Sequence, residues 1–131
     1  MTAEPNPSEL EVLKALWSQD RLSAREVHDK IGEAQGWSYS TTRTVIQRMV
    51  DKGLVNKTSV HGLAVFAAAD RKVDLISRLV RSFTKRVLEV DGALPVSAFT
   101  GSALLNAQEL EELEQILEAP ATPTSEKRSD S

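Results

Sequence analysis

The 131-residue sequence contains no cysteine. This absence excludes disulfide bonds, thiolate metal sites and cysteine nucleophiles. Long apolar runs are also missing, since the longest, near 63–69, is far too short to span a membrane. The start MTAEPNPSEL has neither the basic nor the apolar segment of an export signal. We therefore expect a soluble cytoplasmic protein with one main folded unit and no direct membrane insertion.

The chain also lacks a basic excess. Its 16 Lys and Arg residues stand against 19 Asp and Glu residues, which gives a net charge of −3. A non-specific polyphosphate binder would carry more positive charge. A sequence-specific DNA-binding protein is compatible with this balance, because it needs a basic surface on one face only.

Histidine is equally scarce. The two histidines, His28 and His61, lie in separate predicted elements, and no Ser-His-Asp or His-Glu-x-x-His arrangement accompanies them. We therefore expect no enzyme activity, no metal site and no cofactor. His28 stands beside Asp29 and is predicted to be a surface residue.

Two helices are predicted to start at capping boxes, in which a Ser side chain and a Glu three residues later satisfy free amides. Ser8 and Glu11 form the first box, which begins a helix over 8–18. Ser23 and Glu26 form the second box. Apolar residues follow each box at helical spacing, as an amphipathic helix requires.

The second helix is predicted to end at Gly32, because glycine is favoured just past a helix C-terminus. A turn over 33–38 then leads to a third helix, which starts near Ser40 and ends at Gly53. The residues predicted for its core face are Thr42, Ile46, Met49 and Val50.

Two strand-like stretches follow, 54–58 and Leu63–Ala68, and His61-Gly62 between them supplies a hairpin turn. Three helices and a hairpin in this order predict a winged helix-turn-helix. The fold class is therefore mainly α with a small β-hairpin, and the DNA-binding domain is placed at 8–70.

A helical region is predicted at 71–118, where the helical period returns from Val73 and where Asn106 with Glu109 caps a last helix. Neither helix can bury its apolar stripe alone in a chain this short, so we expect a homodimer interface. Packing of one stripe on the other within the chain is the alternative. The residues assigned to the interface are Ile76, Leu79, Phe83, Leu110, Leu113 and Leu117.

The ends of the chain are predicted to lack a fixed fold. Residues 1–7 carry two prolines and no periodicity, which is typical of a flexible lead-in. Residues 119–131 are rich in Pro, Thr, Ser and charge, which predicts a disordered tail.

The outer face of the third helix is polar and basic, and no acid interrupts it before Asp51. An α-helix fits the major groove of B-DNA, where base edges can be distinguished. Arg43 and Gln47 are long enough for bidentate base contacts, and Lys57 and His61 on the hairpin would reach the flanking backbone or minor groove. A polar face alone is more often just a solvated surface, but the order of elements favours DNA binding. The residues predicted to contact DNA are Ser40, Thr41, Arg43, Thr44, Gln47, Arg48, Lys57 and His61.

Three segments carry a family resemblance. The segment 37–55, WSYSTTRTVIQRMVDKGLV, resembles the recognition segment of the BlaI/MecI/CopY-type repressors, the penicillinase repressor family of bacterial regulators. Segments 10–17 and 104–117 are similar to the same family, so the likeness covers about residues 8–118. It implies a homodimeric repressor that binds a palindromic operator in double-stranded DNA. By position, it also implies DNA contacts by Ser40, Thr41, Arg43, Thr44 and Arg48.

The resemblance also implies a route of release. In antibiotic-responsive members, a membrane-bound sensor signals cleavage of the repressor before a phenylalanine in the linker ahead of the last helix. Phe99 matches that place, so the implied bond is Ala98–Phe99 and the implied partner is a membrane sensor-protease system. Those members have Asn where this chain has Ala98, and packing of Phe99 in the dimer core is the alternative.

Two further departures from the family concern the winged domain. Thr42 replaces the usual aliphatic residue and is predicted to pack its methyl group against the core. The hairpin segment 60–65 lacks much of the family's basic character, so weaker backbone contacts are expected there. The paired cysteines of the copper-responsive branch are absent, which excludes that mode of metal sensing.

The predicted mechanism is physical occupation of a promoter, with release through loss of dimer affinity. Two other functions stay open. One is a regulator that senses a small ligand between the first helix and the C-terminal helices. The other is a winged helix that binds proteins only.

Overall fold

The computed structural model describes residues 4–89 and 101–118. The chain divides into two compact units, one that ends at Arg71 and one that begins at Lys72. We call them the winged unit and the helical unit. The predicted tail and the implied cleavage bond Ala98–Phe99 lie outside the described residues.

Helix α1 spans Pro7–Ser18 and is capped by Asn6. The Glu9 amide donates to the Asn6 side chain at 2.8 Å, and the Asn6 amide donates to the Glu9 carboxylate at 3.0 Å. The box predicted at Ser8 is therefore wrong by two residues. Proline at the first helical position, where no amide is needed, favours the earlier start.

The second helix begins as predicted. The Glu26 amide donates to Ser23 Oγ at 3.2 Å, and the Ser23 amide donates to the Glu26 carboxylate at 2.8 Å. This box starts α2 (Ala24–Val27), which continues through a π-helical turn (His28–Gly32) into α3 (Glu33–Gln35).

The predicted helix end at Gly32 is wrong. Gly32 keeps right-handed helical angles, φ −59° and ψ −46°, and the segment 33–35 that was expected to turn is helical. The helix ends instead at Gly36, whose φ is 74°. Glycine ends a helix when it adopts the left-handed conformation. Of these two glycines only Gly36 does so, and the sequence alone does not distinguish it from Gly32.

Helix α4 spans Tyr39–Asp51 and is the predicted third helix. It is capped by Ser38, whose side chain accepts from the Thr41 amide at 3.1 Å. Gly53, with φ 81°, follows its C-terminus as expected. Val50, predicted for the core, is only half-buried. The core face consists of Thr42, Ile46 and Met49.

The sheet has three antiparallel strands in the order β1-β3-β2. Strand β1 spans Leu22–Ser23, β2 spans Val55–Val60 and β3 spans Leu63–Ala68. The last two are the predicted hairpin, with β2 shifted along the chain from 54–58. Strand β1 was not predicted, because two residues cannot show a period.

The hairpin turn lies at His61-Gly62, as predicted. Both residues have positive φ, 53° and 82°, which is the backbone of a two-residue type I′ turn. Three helices followed by this hairpin make the unit a winged helix. Its core joins the three helices to the sheet, and its largest fully buried apolar side chains are Val12, Leu13, Val27, Ile46, Met49, Leu54 and Val55.

His28 differs from its predicted role, and Thr42 makes a contact beyond its predicted one. His28, expected at the surface, is half-buried, and its Nδ1 lies 2.7 Å from Thr42 Oγ1. Thr42 is fully buried, so it packs against the core as predicted, but its hydroxyl also has hydrogen-bond partners. The sequence alone could not pair residues that are fourteen positions apart.

The helical unit contains α5 (Lys72–Arg86) and α6 (Ala107–Glu118). Asn106 caps α6 as predicted, because the Glu109 amide donates to its side chain at 2.8 Å and its own amide donates to the Glu109 carboxylate at 2.9 Å. The two helices pack on each other around a core of Val73, Leu105, Leu113 and Leu117.

Lys72 ties the start of α5 to the start of α6. Its ammonium donates to the Leu104 carbonyl at 2.9 Å and pairs with the Glu109 carboxylate at 2.9 Å. Burial raises the pKa of Glu109, but the Asn106 amide and Lys72 together outweigh burial and hold that pKa below its usual value.

No helix within residues 4–89 and 101–118 is long and apolar enough to cross a membrane. The same two ranges bring together no group of three or more His, Asp or Glu side chains suited to hold a metal ion.

Candidate nucleic-acid interface

The outer face of α4 is positioned by the burial of its opposite face. Thr42, Ile46 and Met49 are buried at a spacing of three and four residues, which turns the residues between them toward solvent. The polar residues on this exposed face are Ser40, Thr41, Arg43, Thr44, Gln47 and Arg48. The face is therefore accessible along the whole helix.

An open groove of about 580 Å³ lies beside this face. One wall is the start of α2, another is α4, and the third is the hairpin. Of the eight residues predicted to contact DNA, the groove brings together Ser40, Arg43, Thr44, Gln47 and Lys57. Thr41, Arg48 and His61 are exposed outside it.

The groove is locally cationic although the chain is acidic overall. Arg25, Arg43 and Lys57 line it, and no Asp or Glu is among its lining residues. Both Arg25 and Arg43 are exposed and have no carboxylate partner in the part of the chain that the structure describes. Such cations are available to bind phosphate oxygens.

Some polar side chains of α4 already have partners. The Gln47 amide donates to the Asp51 carboxylate at 3.1 Å, and the Thr44 hydroxyl donates to the Ser40 carbonyl at 3.1 Å. Gln47 must therefore exchange Asp51 for a base edge in order to read sequence. Thr44 can accept a further hydrogen bond where it stands.

Arg25 and Tyr39 also line the groove, and neither is among the residues predicted from the sequence to contact DNA. The Arg25 guanidinium carbon lies 4.0 Å from the centre of the Tyr39 ring, and that of Arg43 lies 5.9 Å from it. Arg25 sits two residues after the cap at Ser23, so a basic residue in the first turn of the second helix was the available signal. The stacking itself depends on the angle between two helices and has no local signal.

The hairpin carries one lysine and an apolar tip. Lys57 and His61 are both exposed, and Leu63 beside the turn is 59% exposed. This agrees with the expected shortage of basic residues in the wing. Lys57 is therefore the one Lys or Arg side chain that the hairpin presents to solvent.

The six residues predicted for a dimer interface fall into two groups. Leu113 and Leu117 are buried in the helical unit's own core, and Ile76 and Leu110 are half-buried against it. Leu79 is half-buried, whereas Phe83 is 51% exposed. Val87 and Leu88, which directly follow α5, are 58% and 48% exposed, so with Phe83 they form an apolar patch at the C-terminal end of this helix. We call Phe83, Val87 and Leu88 the α5 patch.

Comparison with known proteins identifies the family. The family model described as penicillinase repressor matches residues 6–119. The chain is similar to the penicillinase repressor of Bacillus licheniformis, with 29% identity over 85% of this chain and 87% of that protein. It is also similar to the methicillin resistance regulatory protein MecI of Staphylococcus aureus (strain N315), with 26% identity over 88% of this chain and 94% of that protein.

A solved structure is similar to part of the chain. The solution structure of the DNA-binding domain of the repressor BlaI matches 55% of this chain and 90% of that chain, with 26% identity and a TM-score of 0.48. The family model spans both the winged unit and the helical unit. On that match, the chain belongs to the penicillinase repressor family.

Proposed function

We propose that this protein is a DNA-binding transcriptional repressor that acts as a homodimer on a palindromic operator. The observation that carries the proposal is the exposed face of α4 beside a groove lined by three cations and no carboxylate. Membership of a family named for repression supports it. The net negative charge of the chain is no obstacle, because no Asp or Glu is among the residues that line this groove.

Helix α4 would enter the major groove of B-DNA, whose width admits an α-helix. Arg43 and Gln47 have the reach for bidentate base contacts. The hydroxyls of Ser40, Thr41 and Thr44 suit phosphates or the edge of a thymine. Arg48 and His61 lie outside the groove and Lys57 lies on its hairpin wall, positions from which they would meet the backbone on either side.

The α5 patch supports the homodimer. Apolar side chains that are about half exposed at the end of a helix favour association with the same surface of a second copy. Two linked winged units then bind two half-sites, and the second contact forms at a high effective concentration. Blocking a promoter in this way needs both subunits.

Release of the operator would follow from loss of dimer affinity. A monomer loses the linked half-site and half of the phosphate contacts. Proteolysis at Ala98–Phe99 by a sensor-protease system would cause this loss by removing α6, whose Leu113 and Leu117 pack against α5, the helix that leads to the α5 patch. That bond lies outside the described residues, so this step rests on the family resemblance alone.

Selection from a library of random duplexes tests the proposal. Full-length protein at about 150 mM salt is expected to enrich an inverted repeat whose half-site centres lie about 10–10.5 base pairs, or a multiple, apart. Enrichment of a single unrepeated element would contradict the dimer. No enrichment at all would contradict DNA binding and favour a winged helix that binds proteins.

A further inference from the structure

Tyr39, the first residue of α4 and the chain's one tyrosine, contacts three other side chains. Its ring lies 4.0 Å from the Arg25 guanidinium carbon and 5.9 Å from that of Arg43. The His28 ring meets it edge-on, with 5.7 Å between ring centres and an interplanar angle of 75°. Tyr39 also lines the groove beside α4.

The ring brings together two cations that come from different helices. Arg25 belongs to α2 and Arg43 to α4, and two guanidiniums at close range repel each other. The face of an aromatic ring is electronegative and attracts a guanidinium. A long exposed arginine otherwise samples many rotamers, so the ring also limits where each cation lies.

His28 is itself fixed on two sides. Its Nδ1 lies 2.7 Å from Thr42 Oγ1, and the Thr42 hydroxyl donates to the Ser38 carbonyl at 3.3 Å. The Thr42 oxygen is thereby left to accept a hydrogen bond from the Nδ1–H group of His28. Thr42 is fully buried, so water does not compete for this contact.

The other side of the His28 ring is closed by Gly32. A Cβ atom at Gly32 would lie 2.1 Å from His28 Nδ1 and 2.4 Å from its Cε1, distances that no side chain can accept. The π-helical turn brings these two residues into register, and such turns are frequent at functional sites. The His28 ring is therefore held in one position, between the Gly32 backbone and Thr42.

We propose that Tyr39 is a positioning residue that holds Arg25 and Arg43 together for DNA, and that the His28–Thr42 contact fixes the Tyr39 ring. Arg25 then becomes a DNA-contacting residue. This inference rests on the proposed function, because it names residues that serve the same interface. Through the His28–Thr42 contact and the Tyr39 ring, the core of the winged unit would thus determine where the guanidinium groups of Arg25 and Arg43 lie.

The first test compares Tyr39→Leu with Tyr39→Phe in the full chain, using the duplex enriched above. We expect Tyr39→Leu to weaken binding about tenfold with the melting temperature unchanged, and Tyr39→Phe to stay within about twofold of the parent. Equal binding by all three proteins, or equal loss in both variants, would overturn the inference. Failure of the parent to bind any duplex would instead overturn the proposed function.

The second test needs no change in the core. Arg25→Gln replaces an exposed side chain, so the fold is not at risk. It should weaken binding several-fold and lower the slope of log affinity against log salt by about 1, as expected for one lost phosphate contact. In the double variant with Tyr39→Leu, the fold loss of affinity should be smaller than the product of the two single losses. A full product, or an unchanged salt slope, would overturn the inference.

The third test addresses the His28–Thr42 contact. Thr42→Val keeps the shape and removes the hydroxyl, and Thr58→Val is the matched control. Thr58 is exposed on β2 next to Lys57, and successive strand residues point to opposite faces, away from the groove in this case. In proton NMR the Tyr39 ring should shift the Arg25 side-chain signals upfield. Thr42→Val should reduce this shift and weaken binding a few-fold, while Thr58→Val should do neither. An unchanged shift in Thr42→Val would overturn this step.

Discussion

Apart from Leu63 on the hairpin, the winged unit exposes no large apolar side chain among its described residues and turns a polar, cationic face to solvent, whereas the helical unit exposes three at the end of α5. Their charges also differ. The groove of the winged unit is lined by three cations and no acid. Helix α6 carries five acids and no cation, namely Glu109, Glu111, Glu112, Glu114 and Glu118. The net charge of −3 therefore describes neither surface, and each unit is suited to a different partner.

The largest expected effect is on dimerisation through the helical unit. Phe83→Glu places a charge in the α5 patch without touching a buried core. We expect the protein to become monomeric by sedimentation analysis and its duplex affinity to fall about 100-fold or more, because the linked half-site is lost.

Gln115→Glu is the control for Phe83→Glu, since it makes the same charge change at an exposed position of α6. It should leave both the mass and the affinity unchanged. A Phe83→Glu protein that stays dimeric and binds normally would show that the α5 patch is not the subunit interface.

Leu113→Ala sharpens the comparison between core and interface. Leu113 is fully buried against Val73 and Leu105. Its truncation should lower the free energy of unfolding by about 2–5 kcal/mol, measured by denaturant titration. Leu63→Ala, at an exposed position, should change it by less than about 0.5 kcal/mol.

A different pattern would reassign Leu113. If Leu113→Ala kept its stability as a monomer but failed to dimerise, this leucine would belong to the subunit interface. That outcome would favour the sequence-based assignment over the packing seen within the chain.

Arg43→Ala and Lys57→Ala separate reading from anchoring within the winged unit. Arg43→Ala should weaken binding by roughly 1–3 kcal/mol and relax the preference at one base position. Lys57→Ala should weaken binding to all duplexes alike and lower the salt slope by about 1. Competition between single-base variants of the enriched duplex measures both. An intact base preference in Arg43→Ala would assign Arg43 to phosphate instead.

The smallest effect concerns acid sensitivity of the helical unit. Because the pKa of Glu109 is held below its usual value of 4.5, its ionised form stabilises the fold above that pH. This contribution is lost as the pH falls through the lowered pKa. Glu109→Gln keeps an acceptor for the Asn106 amide but removes the charge paired with Lys72. It should cost less than about 1 kcal/mol at pH 7, and the difference from the parent should vanish at low pH. A difference that grows toward low pH would contradict this assignment.

Local signals in the sequence predicted the parts of the fold that depend on neighbours in the chain. The capping boxes at Ser23 and Asn106 and the turn at His61-Gly62 each lie within four residues, so their chemistry is visible in the sequence. Near the N-terminus two boxes overlap, Asn6 with Glu9 and Ser8 with Glu11. The second matches the Ser-x-x-Glu pattern, but Pro7 at the first helical position favours the box at Asn6.

Features that depend on tertiary contacts could not be predicted in the same way. Strand β1 exists because Leu22 and Ser23 pair with Phe66 and Val65. Gly32 stays helical, with the His28 ring packed against its backbone. Neither the partner nor the distance is visible along the chain.

The candidate site shows the same division. The exposed face of α4 follows from helical period, and the structure places all six of its predicted residues in solvent. The stacking of Arg25 on Tyr39 follows from the angle between α2 and α4. A pattern along one helix therefore predicts which residues lie on its exposed face, but not which residues from other elements lie beside them.

Hydrogen–deuterium exchange with and without the enriched duplex tests most directly which unit binds DNA. We predict that the duplex slows exchange in the first turns of α4, at the start of α2 and at the hairpin tip, and leaves α6 unchanged. Slowed exchange confined to α5 and α6, with α4 unaffected, would contradict the assignment of DNA binding to the winged unit.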